Sequence, residues 1–246
     1  MCTVSFIARQ RGYLLAMNRD EQLARAKGLP PEIISRAGRR IVRPSEPGGG
    51  TWIALNDAGV TFALINWYAV AARVKASPVS RGEVVNSVSA EFLAASASEI
   101  LSQLPLQRMN PFRLIGFFPA TQKVFEWRWD LKRFICQPHP WRTQQFISSG
   151  FDELAAQRIR SETFRQARRQ TSAGSLDWLR RLHRSHAPEP GPGATCMHRA
   201  DAATVSCTTV QVSRGATVMW HQLGRPCLVA KKSWSRIRLP PPFKGS

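Results

Sequence analysis

The sequence predicts a layered α+β fold on three observations: strand-like runs at both ends of the chain, helical patterning concentrated between them, and turn signals that join neighbouring strands as hairpins. Residues 3–8 and 13–17 are short apolar runs separated by Arg9-Gln10-Arg11-Gly12, which makes a hairpin at the amino terminus. From 19 to 50 the chain is polar and punctuated by Pro30-Pro31, Pro44, Pro47 and Gly48-Gly49-Gly50, and reads as one long loop. A second hairpin follows, with strands at 51–55 and 60–65 around the turn Asn56-Asp57-Ala58-Gly59, closing on Asn66. Ser80-Arg81-Gly82-Glu83 has the form of a capping box and opens helical patterning that continues in pieces to about Leu104. Strands at 112–118 and 124–129 flank Pro119-Ala120-Thr121-Gln122, helices are expected at 152–170 and 175–186, and strands at 204–212, 217–221 and 227–230. The Pro/Gly-rich stretch at 188–193 is too short and too late to divide the chain, so one domain over 1–246 is expected, with a flexible tail from about 235.

With 246 residues, 43% of them hydrophobic, the chain can bury a sizeable core. Its net charge of +19 comes mostly from scattered arginines, as in Arg39-Arg40, Arg168-Arg169 and Arg180-Arg181. No helix-turn-helix, zinc-finger or aromatic-basic RNA signature accompanies them, so a solvated basic face is expected and no specific nucleic-acid partner. The five cysteines, at 2, 136, 196, 207 and 227, are odd in number and irregular in spacing, which argues against a disulfide framework and favours a reducing compartment. No apolar stretch has signal-peptide length at the start or the roughly 20 residues of a membrane span later, so a cytoplasmic protein without a span is expected. His183, His186, Cys196 and His198 are metal-ligand types, but the first pair is spaced three apart in an arginine-dense helix and no metal is expected. Trp127, Trp129 and Trp141, near His139, read as core and rim aromatics.

The chemistry concentrates at the amino terminus. Removal of Met1, usual before a small residue, would leave Cys2 with a thiol and a free α-amine on one carbon. A free thiol of pKa about 8.5 is only slightly ionised at neutral pH, whereas an α-amine of pKa about 7.7–8.0 is partly neutral and can accept its proton. Such a residue supplies its own general base. Asp20, at the end of the partner strand, is the carboxylate expected beside that amine, and Asn66 is the side-chain amide best placed to hold an oxyanion.

The segments MCTVSF, MNRDE and GGGTWIALNDAGVTFALIN together resemble the NRDE family, which includes the transport and Golgi organisation proteins. The order of parts is similar to that of the choloylglycine hydrolase and penicillin V acylase group of N-terminal nucleophile (Ntn) hydrolases. The resemblance covers residues 1–70 strongly and reaches 146–150 and 203–212 weakly. It implies a four-layer αββα sandwich of mixed, largely antiparallel sheets with Cys2 at the tip of a central strand. Carried over by residue, Cys2 is the nucleophile, Asp20 the carboxylate near its amine, and Asn66 an oxyanion or substrate contact. Where the acylases have an arginine three residues before the aspartate this chain has Met17, with Arg19 as the substitute. An asparagine after the middle strand is replaced by Ser149, and a late-strand arginine by Val205. Asn18, Trp67, Ser149 and Arg199 complete the substrate-binding candidates, Arg199 as a carboxylate clamp.

Two functions follow. The first is a cysteine amidohydrolase cleaving a non-peptide carbon–nitrogen bond through a thioester, without a cofactor, its Cys2 more reactive toward thiol reagents than the other cysteines. The second, implied by the wider family, is a non-catalytic binding or trafficking protein for a hydrophobic ligand, haem or lipid. A homo-oligomer is compatible with either.

Overall fold

The computed structural model describes residues 2–229 and 233–240. Two antiparallel sheets face each other, and helices cover their outer faces. The first sheet is built on the amino-terminal hairpin, β1 (Cys2–Arg9) and β2 (Gly12–Gln22). The second contains an edge hairpin, β3 (Leu29–Arg36) and β4 (Arg39–Ser45), then β5 (Ile53–Asn56) and β6 (Thr61–Asn66). Two short helices follow, α1 (Gly82–Val88) and α2 (Ala94–Ser102). Strands β7 (Phe112–Phe118), β8 (Lys123–Trp129) and β9 (Phe134–Pro140) complete the second sheet, in the order β3-β4-β5-β6-β7-β8-β9. The chain then returns to the first sheet with β10 (Gln144–Ser148), crosses its outer face as α3 (Glu153–Ala167) and α4 (Leu176–His183), and ends in β11 (Ala202–Ser213), β12 (Ala216–Leu223) and β13 (Ser235–Leu239). The order of that sheet is β10-β1-β2-β11-β12-β13. This is the αββα sandwich expected.

Side-chain alternation explains the layers. In β1 and β2, Val4, Phe6, Tyr13, Leu15 and Met17 pack between the sheets against Val42, Ile53, Ile65 and Phe117. The intervening residues Ile7, Leu14 and Ala16 face Phe164, Trp178, Leu179 and Leu182 of the helices. On the opposite side, Val84, Val85 and Val88 of α1 with Ala97 and Leu101 of α2 cover Phe62, Leu114 and Trp127. Both faces of β1 and β2 are buried, and polar residues among them, Thr3, Ser5 and Asn18, hydrogen-bond to Arg160, His183 and the carbonyls of His183 and Thr195.

Several expectations are corrected. The expected 19–50 loop is instead mostly strand: β2 continues through the charged run to Gln22, and β3 and β4 follow, leaving 23–28 and 46–50 as the irregular parts. Pro30 and Pro31 are accommodated because β3 is the sheet edge and its pairing is irregular between Leu29 and Glu32. Ala37 and Gly38, at φ 48° and 72°, make the left-handed turn between the two strands. Ser80 is not the N-cap of α1; Arg81 is, and the Ser80 hydroxyl instead accepts from the Gly82 amide at 3.2 Å. Gly82 has no room for a side chain, since an added Cβ would lie 2.6 Å from the Gly50 Cα. Asp152 and Ser175 do cap α3 and α4. The strand expected at 227–230 is a turn as far as Val229, with Ala230 outside the described residues. Of the expected tail from 235, the first part is β13, an edge strand paired with β12, and 241–246 lie outside the described residues. Among the described residues no helix is long and apolar enough to cross a membrane.

Candidate active site

The β1–β2 hairpin sets Cys2 opposite Arg19, and β10 sets Ser148 opposite Cys2 on the other side. Cys2, Arg19, Asp20, Trp52, Asn66 and Arg81 all line one cleft of about 290 Å³ at this end of the sandwich. The structure thus brings the four residues expected to do chemistry onto one cavity.

Cys2 is 7% exposed. Burial pushes its thiol up; the amino-terminal charge, Arg19 and a hydrogen bond from the Asp20 backbone oppose this, and the Asp20 carboxylate adds to it. The Cys2 backbone nitrogen, which becomes the α-amine once Met1 is removed, donates to Ser148 Oγ at 3.1 Å. Met1 itself lies outside the described residues. Cys136 is the exposed cysteine, so a general alkylating reagent meets it first, and only a reagent that enters the cleft tests Cys2.

The Asp20 carboxylate is buried and accepts from Thr204 Oγ1 at 2.6 Å and from Arg160 at 3.3 Å. Arg160 is fully buried and also donates to Thr3 Oγ1 at 2.7 Å and to the Pro192 carbonyl at 3.1 Å. The arginine paired with Asp20 is therefore Arg160, from α3, and not the adjacent Arg19. Arg19 points the other way, ion-paired with Glu46 at 2.5 Å and Glu21 at 3.2 Å and stacked 4.5 Å over the Trp52 ring. Asn66 donates through Nδ2 to Tyr68 Oη at 2.9 Å, a bond that fixes the amide plane at the cleft wall. Met17 is buried between the sheets. Val205 is the residue skipped where β11 slips against β2, a slip that lets Thr204 reach Asp20.

The four substrate-binding candidates do not line the cleft. Asn18 faces α4 and donates to the carbonyls of His183 and Thr195, both at 2.8 Å. Ser149 is buried and accepts from the Phe151 amide at 3.4 Å. Trp67 bonds Pro111 through its backbone and lies 5.9 Å from the Arg128 guanidinium. Arg199 pairs with Asp201 at 2.8 Å and covers Phe151. Sequence reasoning missed Ser148, Arg160 and Thr204. For Arg160 a signal was present, because Ala156, Arg160 and Phe164 form one buried stripe of α3, and an arginine in an apolar stripe implies a buried anionic partner.

Two buried histidines behind the site stay neutral. His183 bonds Ser5 Oγ at 2.8 Å, and burial, with Arg160 adding to it, holds its pKa down at about 3. His221 bonds Thr208 Oγ1 at 2.8 Å beside Trp52, and burial with Arg19 lowers it to about 4. Both folded pKa values lie below the unfolded value of about 6.5, so between those limits the unfolded chain binds more protons and stability falls as pH falls. Stability is expected to be at its plateau above about pH 6.5 and to decline by up to about 1.4 kcal/mol per pH unit per histidine below it. Urea unfolding of the native protein and His221→Gln between pH 7 and 4 checks this: the variant should show the shallower slope.

The geometry has counterparts of known structure. The fold is similar to that of penicillin V acylase from Agrobacterium tumefaciens, at TM-score 0.51 and 11% identity over 91% of this chain and 83% of that one. It is also similar to a mutant conjugated bile acid hydrolase from Clostridium perfringens, at TM-score 0.53 and 10% identity over 97% of this chain and 92% of that one. At such identities the likeness concerns the fold, the αββα sandwich. No curated protein matches the sequence. The family model of Transport and Golgi organisation 2 matches residues 1–127. The chain, with its amino-terminal hairpin, second hairpin and cleft all falling largely within that match, belongs to the Transport and Golgi organisation 2 family.

Proposed function

We propose that the protein is a cysteine amidohydrolase of the Ntn type, cleaving a non-peptide amide bond with Cys2 as nucleophile after loss of Met1. One observation carries this reading: Cys2, Arg19, Asp20 and Asn66 line a single cleft, with the Cys2 nitrogen held on Ser148 Oγ. In the reaction the Cys2 amine takes the thiol proton as sulfur attacks the amide carbon, giving a tetrahedral oxyanion. Asn66 Nδ2 donates to that oxygen. Collapse breaks the carbon–nitrogen bond, the ammonium returns its proton to the leaving amine, and a thioester remains. Water, deprotonated by the same amine, then releases the acid and restores the thiol. Ser148 orients the amine, and Asp20, locked by Arg160 and Thr204, supplies the fixed negative charge that favours the transient ammonium.

Arg81 indicates the substrate's character. It lines the cleft, donates to the Pro111 carbonyl at 3.3 Å, and has no ion-pair partner among the described residues. Burial lowers its pKa, so a substrate anion would restore the charged form's lost solvation. N-acyl amides bearing a carboxylate are the expected substrates. The test incubates the mature protein with such amides, including penicillin V and a glycine-conjugated bile acid, in the presence of hydroxylamine. Amine release with hydroxamate formation supports the thioester. Saturable binding without amine release across the panel favours a binding protein for haem, lipid or another hydrophobic ligand instead.

A further inference from the structure

We propose that His186, Cys196, His198 and Cys227, none of which lines the cleft, form a structural zinc site. Each of the four offers one ligand atom, and these atoms all lie within 4.8 Å of one another. His186 Nε2 is 3.2 Å from His198 Nε2, which is itself 3.2 Å from Cys227 Sγ and 3.8 Å from Cys196 Sγ. With Zn–N of about 2.0–2.1 Å and Zn–S of about 2.3 Å, tetrahedral edges are about 3.4 Å between nitrogens and about 3.6 Å between nitrogen and sulfur. The three separations from His198 Nε2 lie within about 0.4 Å of these edges, and the wider pairs, within 4.8 Å, need close by only about an ångström for all four atoms to bind one ion.

Hydrogen bonding alone does not account for the arrangement. The Nε2 of an imidazole has either one proton or one lone pair, and so makes one well-directed bond. His198 Nε2 has three converging neighbours, the environment every ligand atom has around a shared tetrahedral cation. The two imidazole rings stand at 89° to each other, edge to face, so both nitrogens can be directed at a common centre. Two thiolates with two imidazoles in a tetrahedron select zinc among the common divalent metals, and four protein ligands close the site to substrate, which marks it as structural.

The ligands come from three segments that the chain holds together independently. His186 follows α4, Cys196 and His198 lie in the loop before β11, and Cys227 lies in the turn after β12. The Cys196 amide bonds the Ser185 carbonyl at 3.0 Å, and Arg184 bonds the Val229 carbonyl at 3.3 Å, tying the loop and the turn to the end of α4. The long loop between α4 and β11 has few regular hydrogen bonds of its own, and a metal staple supplies the missing constraint. That loop also reaches the active site: Met197 exchanges hydrogen bonds with Thr204, and Thr204 holds Asp20. Three of the four, His186, Cys196 and His198, stand out in the sequence as metal-ligand types; Cys227 does not, because it is distant in sequence, and His183, the expected partner of His186, turns to Ser5 instead.

Full-length protein should be stripped with chelator, reduced, and titrated with zinc and with cobalt. Equimolar zinc uptake, visible bands of a tetrahedral cobalt–thiolate centre and a raised melting temperature are expected. The Cys227→Ser protein should lose more than the roughly 100-fold in affinity that loss of an outer-shell partner costs, whereas Cys136→Ser should bind as the parent does. X-ray absorption of the unmutated zinc form, two sulfur and two nitrogen neighbours being expected, decides the matter even if Cys227→Ser misfolds. The site is refuted if the reduced parent takes up no zinc, if cobalt gives only an octahedral spectrum, or if Cys227→Ser binds unchanged.

Discussion

Replacing Arg160 with alanine is expected to destabilise the protein by about 3–5 kcal/mol, the cost typical of leaving a buried ion without its partner. The reason is local: Asp20 is buried, and Arg160 bridges it to Thr3 and to the Pro192 carbonyl from the centre of α3. Removing the guanidinium takes the cationic partner from a buried carboxylate and leaves Thr204 still donating to it. Arg160→Met combined with Asp20→Asn should cost clearly less than the two single changes added, because neither variant group then faces an unpaired charge. Chemical denaturation of the four proteins measures the coupling, and additivity within about 0.5 kcal/mol would mean that Arg160 acts only through packing.

Replacing Cys2 with alanine carries the largest effect on chemistry. Amide cleavage should fall by at least about 10⁴-fold, because the nucleophile and its proton acceptor share one residue and the alanine amine has nothing to deprotonate. Binding of an uncleaved anionic amide should persist, since Arg81, Trp52 and Asn66 still line the cleft. Single-turnover assays on both proteins check the first statement and calorimetry the second. Turnover within tenfold of the parent would remove Cys2 from the mechanism.

How much of this could be read beforehand follows a physical division. Most interior strands were legible: β1, β2, β6, β7 and β11 have buried apolar faces, and most of their turns carry Gly, Asn or Asp. The strands missed or misread include the outer strands of the two sheets, β3, β9, β10 and β13, and one interior strand, β4, whose arginines and Pro44 gave it the polar, Pro-punctuated look of a loop. An edge strand needs a partner on one side only, so it tolerates Pro30 and Pro31 in β3 and Pro138 in β9, which in the sequence signal a loop. Cys2, Arg19, Asp20 and Asn66 were legible because two hairpins bring them together, and a hairpin's register is set by local turn chemistry. Ser148, Arg160 and Thr204 reach the site across long stretches of chain, through β10, α3 and a slip in β11, and no local pattern encodes that meeting. Arg19 beside Asp20 in sequence was misleading for the same reason: adjacent strand residues point to opposite faces.

Catalysis by Cys2 requires its free amine, so the mass of the intact, folded protein is the most direct test. The purified chain, without any residues added before Met1, should be lighter than its translated sequence by one methionine, with Cys2 as its first residue. A folded protein that retains Met1 quantitatively would contradict the account, because the nitrogen bonded to Ser148 would then be an amide with no basicity to offer the thiol.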